Sequence, residues 1–224
     1  MTEPLSRPAA SDAVAGLGWR LILGRYLAAV PVASLTEAAE VASLAVAAAG
    51  ADRHLQLDLR RDRVELALGV PGALSRDDVD TASTVRDALV RAGHRLGPAV
   101  GSATRSVQLL EIAIDALDIA AIRPFWRAVL GYGDEPGNDE DDAAVTDPLG
   151  QGPTVWFQQM DEPRPQRNRI HVDIAVPHDE AQRRIEAALA AGGVLVSDAE
   201  ARSFWILADV EGNEICVCTW QDRD

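Results

Sequence analysis

Lysine is absent from this chain: all 21 basic side chains are arginine. Aromatic residues make up only 4% of the sequence, so any core must be filled by Ala, Val, Leu and Ile, which lift the hydrophobic fraction to 47%. No apolar run approaches the roughly 20 residues that cross a bilayer, and Met1 to Ala10 shows no basic-then-apolar order of the kind a secretory leader has. A cytoplasmic protein is the expectation. There are two cysteines, too few for a disulfide scaffold. Cys216 and Cys218 lie two apart in an apparent strand and point the same way, which predicts two buried thiols in a reducing compartment.

Positive charge is also scarce, and unevenly so. Of the net −14, residues 1–100 contribute 12 acids against 11 arginines, and residues 101–224 contribute 23 acids against 10. An acidic surface repels phosphate backbones, which argues against nucleic acid as a partner. A small-molecule ligand is expected, with no membrane partner and with homo-oligomerisation open. A length of 224 residues suits two domains of about 100 residues better than one.

Periodicity organises the first half. Ser11 to Leu17 reads as a short helix capped by Ser11, and Trp19 to Val30 as two short strands around Leu23-Gly24-Arg25. Ser34, with Glu37 three residues on, caps a long helix from Leu35 to Ala49 that Gly50 ends. His54 to Arg60 and Val64 to Leu68 alternate apolar and polar residues, a hairpin turning at Arg61-Asp62. Ser75 opens a further helix from Arg76 to Ala92, ended by Gly93. Periodicity is then lost. The expected domains are residues 1–97 and 107–224, with a linker over 98–106.

The second half contains a weak internal repeat. Val107 to Asp115 (strand) and Asp118 to Leu130 (helix) are followed by a strand at Val155 to Gln158; Arg169 to Val176 (strand) and His178 to Ala191 (helix) are followed by strands at Val194 to Val196, Phe204 to Ala208 and Ile215 to Trp220. Gly131-Tyr132-Gly133 and Gly192-Gly193 follow helices and stop them, so they are not phosphate loops. The acidic run Asn138 to Asp142 reads as a solvated loop, and Pro163-Arg164-Pro165 as a surface connection. Two βαβββ units would pair into one curved sheet with a central cleft. Trp126, Trp156, Trp205 and Trp220 serve either that cleft or the core. The fold class expected for the whole chain is α+β.

Over nearly all of residues 5–93 the chain resembles the pterin-4a-carbinolamine dehydratases. The carrying residues are Gly18-Trp19-Arg20, the Leu35 to Gly50 helix, His54 to Arg60, Arg63-Val64 and Leu74-Ser75-Arg76-Asp77-Asp78. The resemblance implies an antiparallel sheet covered by helices on one face. It also implies a lyase that removes water from 4a-hydroxytetrahydropterin by general acid–base chemistry, without metal or cofactor. The family's His-His-Pro run falls on Arg53-His54-Leu55, and its later histidine on Gly69-Val70-Pro71. His54 as acid or base and Arg53 as a binder of an anionic or carbonyl edge are the catalytic candidates that follow.

Over residues 107–220 the chain resembles the glyoxalase-like members of the vicinal oxygen chelate superfamily. Here the carrying residues are Asp115 with Asp118, Pro124-Phe125-Trp126, Val129-Leu130-Gly131, Trp156-Phe157-Gln158, Arg169-Ile170-His171-Val172-Asp173 and Asp209-Val210-Glu211-Gly212-Asn213. The resemblance implies a divalent metal in the cleft, held by one ligand from each of four strands and acting as a Lewis acid on vicinal oxygens. Those positions map onto Glu111, Gln158, His171 and Cys216, with Glu214 two residues before Cys216 on the same face. The alternative is a metal-free cleft in which His171 pairs with Asp173 or Glu111. Three functions are thus open: a pterin dehydratase-like lyase, a metal-dependent enzyme on a small oxygenated substrate, and a non-catalytic ligand-binding or scaffold protein.

Overall fold

The computed structural model describes residues 4–50, 54–98, 106–136, 143–163 and 170–222. The chain divides into two compact units, Met1–Leu109 and Leu110–Asp224. Most of the expected linker lies outside the described residues, as do the acidic run, Arg164-Pro165 and Arg169.

Unit 1 runs α1 (Arg7–Ala15), β1 (Arg20–Ile22), β2 (Arg25–Pro31), α2 (Leu35–Ala49), β3 (Leu55–Leu59), β4 (Arg63–Leu68) and α3 (Arg76–Arg91). Its four strands pair antiparallel in the order β1-β2-β4-β3. Helix α1 begins a turn before the sequence-based expectation. Ser6 rather than Ser11 is the cap, accepting from the Ala9 N–H at 3.4 Å, and Pro8 fits the first turn, where its missing N–H costs nothing. Helix α2 has the anticipated bounds and the Ser34 cap, which accepts from the Glu37 N–H at 3.1 Å.

The core of unit 1 forms where Tyr26, Ala28 and Val30 of β2 and Val64, Leu66 and Leu68 of β4 meet Val41 and Ala45 of α2 and Val79, Ala82, Val85 and Leu89 of α3. With so few aromatics, small side chains at helix positions let helix and sheet approach closely. Trp19 is the bulkiest fully buried side chain, its indole N–H donating to the Ala82 carbonyl at 3.2 Å.

Unit 2 contains the repeat. Its first half is β5 (Glu111–Ala116), α4 (Ile119–Leu130), β6 (Gly133–Asp134), β7 (Val145–Thr146) and β8 (Thr154–Gln159). Its second is β9 (Asp173–Ala175), α5 (Ala181–Ala190), β10 (Val194–Ser197), β11 (Phe204–Ala208) and β12 (Glu214–Cys218). Both halves are βαβββ, and in each the first strand lies parallel to the last: β5 along β8, β9 along β12. The sheet orders β5-β8-β7-β6 and β10-β11-β12-β9 are the same order read from opposite ends.

One expectation is corrected here. The repeats form two four-stranded sheets, not one continuous curved sheet, because no strand ladder joins the described residues of one to the other. Strands β6 and β7, two residues each, are too short to leave a periodic signal in sequence. His178 stands outside α5, which begins at Ala181 after Pro177.

A single apolar core joins both halves. Ile114, Val155 and Phe157 from the first sheet and Leu207, Ile215 and Val217 from the second bury against Ile122, Phe125, Trp126 and Val129 of α4 and Ile185 and Ala188 of α5. Two polar clamps fasten the halves. Buried Asp209 accepts the Trp126 indole N–H at 2.9 Å, the backbone N–H groups of Glu211 and Asn213, and the Asn213 side-chain amide. The Glu211 carboxylate in turn accepts the N–H groups of Leu117 and Asp118, at 2.8 and 2.7 Å, at the mouth of α4, where a helix presents unpaired donors and positive partial charge. The Asp209-to-Asn213 turn singled out in sequence is therefore the piece that ties one repeat to the other.

Candidate functional site

Strand alternation decides which side chains each sheet turns away from the core. On the second sheet Ile215 and Val217 of β12 enter the core cluster. Cys216 and Cys218 point oppositely, and both are buried thiols, as the sequence predicts. Cys216 pairs in register with Asp173, and His171 lies two residues earlier with the same parity. The result is a compact group: the donor atoms of His171, Asp173 and Cys216 all lie within 4.8 Å of one another.

Within the group His171 Nδ1 is 3.0 Å from Asp173 Oδ1, and Cys216 Sγ is 3.7 Å from His171 Nε2. An ionised carboxylate only accepts, so in this pairing Nδ1 carries the proton. A carboxylate oxygen of Asp173 also lies within 4.8 Å of the Cys216 sulfur. Burial, then the negative charge of Asp173, push the thiol up to about 12. Cys216 is 2% exposed, whereas the His171 and Asp173 side chains are open to solvent, at 45% and 61%. The site is a thiol at the floor of an accessible face, with imidazole and carboxylate at its rim.

The first sheet offers different chemistry. Glu111, Ala113 and Asp115 of β5 share a parity opposite to the core-facing Ile114, and pair with Thr154, Trp156 and Gln158 of β8. Glu111 and Gln158 are thus four register steps apart along β8. At about 3.3 Å per residue, that separation is far beyond the reach of one shared ion through β8. If Glu111 and His171 are counterparts, Ala113 matches Asp173, and their cross-strand partners are Trp156 and Cys216. The place that sequence mapping gave to Gln158 is held by Trp156, whose indole is 37% exposed and offers no metal lone pair. The amide of Gln158 instead reaches the Gln159 carbonyl at 3.5 Å.

Of the metal set expected from sequence, then, the structure brings His171 and Cys216 together, and sets Glu111 and Gln158 apart along the other sheet. The sequence reading missed Asp173 as a third donor. The signal was available: His-x-Asp in an extended segment places both side chains on one face. Of the remaining tryptophans, two serve the core and one is a surface residue. Trp126 is core, Trp205 packs against the core, and Trp220 is 69% exposed, its N–H donating to His178 Nδ1 at 3.2 Å.

In unit 1, Arg53 lies outside the described residues. His54, 62% exposed in its side chain, stands with Nδ1 3.9 Å from Asp78 Oδ1. The other oxygen of Asp78 accepts the Ser75 N–H and hydroxyl at 2.8 and 3.0 Å, closing the capping box of α3. Both interactions have a structural cause at a helix start. A pocket of about 470 Å³ lies elsewhere in the unit, between the ends of α1 and α3, with Arg86, His94 and Arg95 in its lining and none of the expected site residues.

Residues 111–218 match the family model described as a glyoxalase-like domain. No curated protein matches the sequence. Among solved structures, the chain is similar to a glyoxalase/bleomycin resistance protein from Albidiferax ferrireducens, at 21% identity over 49% of this chain and 95% of that one, with a TM-score of 0.38. It is also similar to a glyoxalase-related enzyme from Fulvimarina pelagi, at 16% identity over 50% and 87%, with a TM-score of 0.40. No helix among the described residues is long and apolar enough to cross a membrane. Unit 2 carries a glyoxalase-like domain, spanning residues 111–218.

Proposed function

We propose that the glyoxalase-like domain is a metal-dependent enzyme of the vicinal oxygen chelate kind, acting on a small oxygenated substrate. The observation that carries this reading is the approach of Cys216 Sγ to within 3.7 Å of His171 Nε2. Two donors bound to one tetrahedral zinc, at about 2.3 Å for sulfur and 2.0–2.1 Å for nitrogen, stand about 3.6 Å apart. The donor set fits a divalent ion. A thiolate and a carboxylate balance its charge, and a neutral imidazole adds a third ligand of the borderline type that zinc accepts.

When bound, such an ion supplies Lewis acidity toward paired oxygens of a substrate. The chain's own residues do the rest. Asp173 Oδ1 orients the His171 ring through Nδ1, which would leave Nε2 and the second carboxylate oxygen of Asp173 to the ion. The exposed rim at His171 and Asp173 admits substrate, while the buried position of Cys216 keeps its sulfur from bulk solvent. Trp156, exposed on the first sheet, offers an apolar ring face to a substrate.

Unit 1 has no catalytic part in this proposal. Dehydration of a carbinolamine needs a proton given at one place and taken at another, and His54 is the single histidine at the matched positions. With 4a-hydroxytetrahydropterin, wild type and His54→Ala are both expected to show the spontaneous rate. The test of the main proposal is turnover of α-hydroxyketones and vicinal dicarbonyls by protein supplied with zinc, nickel, manganese or iron(II). Activity that appears with one ion, vanishes with chelator and returns with that ion supports it. Turnover indifferent to chelator would sink it.

A further inference from the structure

We infer that His171, Asp173 and Cys216 form a three-donor zinc site carried wholly by the second repeat, with Asp173 as a direct ligand and one coordination position open. This deepens the metal-dependent reading and rests on it.

Four observations on the two repeats lead there. The donors of the three residues lie within 4.8 Å of one another, a span one ion can bridge. The first repeat contributes no counterpart to Cys216, because the equivalent register position is Trp156. Its other candidate, Glu111, lies opposite Thr154, two steps along β8 from Trp156. The place of a donor from the first sheet is taken up on the second by Asp173, in register with Cys216 and two residues after His171.

Asp173 pairs through one carboxylate oxygen with His171 Nδ1 and stands in register with Cys216, so imidazole, carboxylate and thiol converge on one point of the sheet face. Binding of Zn²⁺ would remove the thiol proton, and thiolate and carboxylate would then cancel the ionic charge. Removing that charge matters, since a site with a buried floor holds an uncompensated ion poorly. Three protein ligands and an open fourth position describe a catalytic rather than a structural zinc site. The thiolate favours zinc over manganese, magnesium or calcium, which prefer oxygen donors.

The test is a cobalt(II) titration of the full chain followed by zinc competition, with Cys216→Ser, Asp173→Ala, Asp173→Asn and Glu111→Gln beside wild type. Far-ultraviolet circular dichroism without metal checks the fold of each variant. Wild type is expected to bind one cobalt with a thiolate-to-metal charge-transfer band and the strong visible bands of four-coordination. Cys216→Ser should lose the charge-transfer band. Both Asp173 variants should keep that band while zinc affinity falls by more than the roughly 10–100-fold that removal of a ligand's supporting contact costs. Glu111→Gln should bind zinc as wild type does. Undiminished affinity in the Asp173 variants, or a loss in Glu111→Gln as large as theirs, would overturn the one-sheet assignment and leave the metal-dependent reading standing. Absence of any cobalt or zinc binding by wild type would remove both.

Discussion

The sulfur of Cys216 stands 3.7 Å from one ring nitrogen of His171 and 3.8 Å from the other. A sulfur equidistant from Nδ1 and Nε2 lies on the lone-pair axis of neither, so the two side chains are close without forming a thiolate–imidazolium pair. That separates this site from a cysteine nucleophile activated by histidine, which needs a direct hydrogen bond. The geometry suits instead two donors to one ion, with the His171 ring held at Nδ1 by Asp173.

The thiol's own titration follows. Burial and the charge of Asp173 raise Cys216 to about 12 from an ordinary 9.0. The folded state therefore favours the protonated thiol. That contribution to stability is whole below 9.0 and is lost as pH rises through about 12. In metal-free Cys218→Ser protein, where Cys216 is the remaining thiol, the ultraviolet thiolate absorbance should stay absent through the range where free cysteine ionises. A thiolate signal at or below 9.0 would show that burial and the charge of Asp173 do not hold the proton in place.

Asp209 makes the strongest structural prediction. It is 2% exposed and accepts hydrogen bonds from Trp126, from the backbone of Glu211 and Asn213, and from the Asn213 amide. Asp209→Ala leaves these buried donors unsatisfied and releases the turn that presents Glu211 to the start of α4. Breaking a buried charged network of this kind costs about 3–5 kcal/mol. Urea denaturation of the chain should show that loss confined to the transition of unit 2.

Tyr26 predicts the opposite sign. Its hydroxyl is buried and has no hydrogen-bond partner among the described residues, and burial with the nearby negative Asp78 raises its titration above the usual tyrosine value. An unpaired buried hydroxyl costs about 1–3 kcal/mol of desolvation. Tyr26→Phe removes that cost while keeping the ring in the core, so unit 1 should become more stable by about 1 kcal/mol. Thermal unfolding of the variant checks this, and a loss of stability would mean that the hydroxyl holds a partner such as a buried water.

Much of this fold was legible in sequence because its signals are local. Ser34 and Glu37 bracket α2, His-Leu-Gln-Leu-Asp-Leu-Arg alternates as a half-buried strand, and Asp118 opens α4. Elements with little periodicity were not legible. Strands β6 and β7 have two residues each, and the cap of α1 shifted from Ser11 to Ser6 because both serines satisfy the same local rule. The site was half legible for a different reason. The pairing of His171 with Asp173, two residues apart, is readable locally, but their meeting with Cys216 depends on strand register, which links Asp173 to a residue 43 positions away. Register likewise put Trp156, not Gln158, at the counterpart of Cys216; a shift of two residues keeps the face, so alternation cannot detect it.

The most direct test of the account is zinc stoichiometry. The full chain, stripped with chelator and dialysed against zinc, should retain one zinc per molecule by elemental analysis, and His171→Ala should retain none while unit 1 stays folded. A stripped and reloaded wild-type chain that holds no zinc, with unit 2 folded, would contradict it.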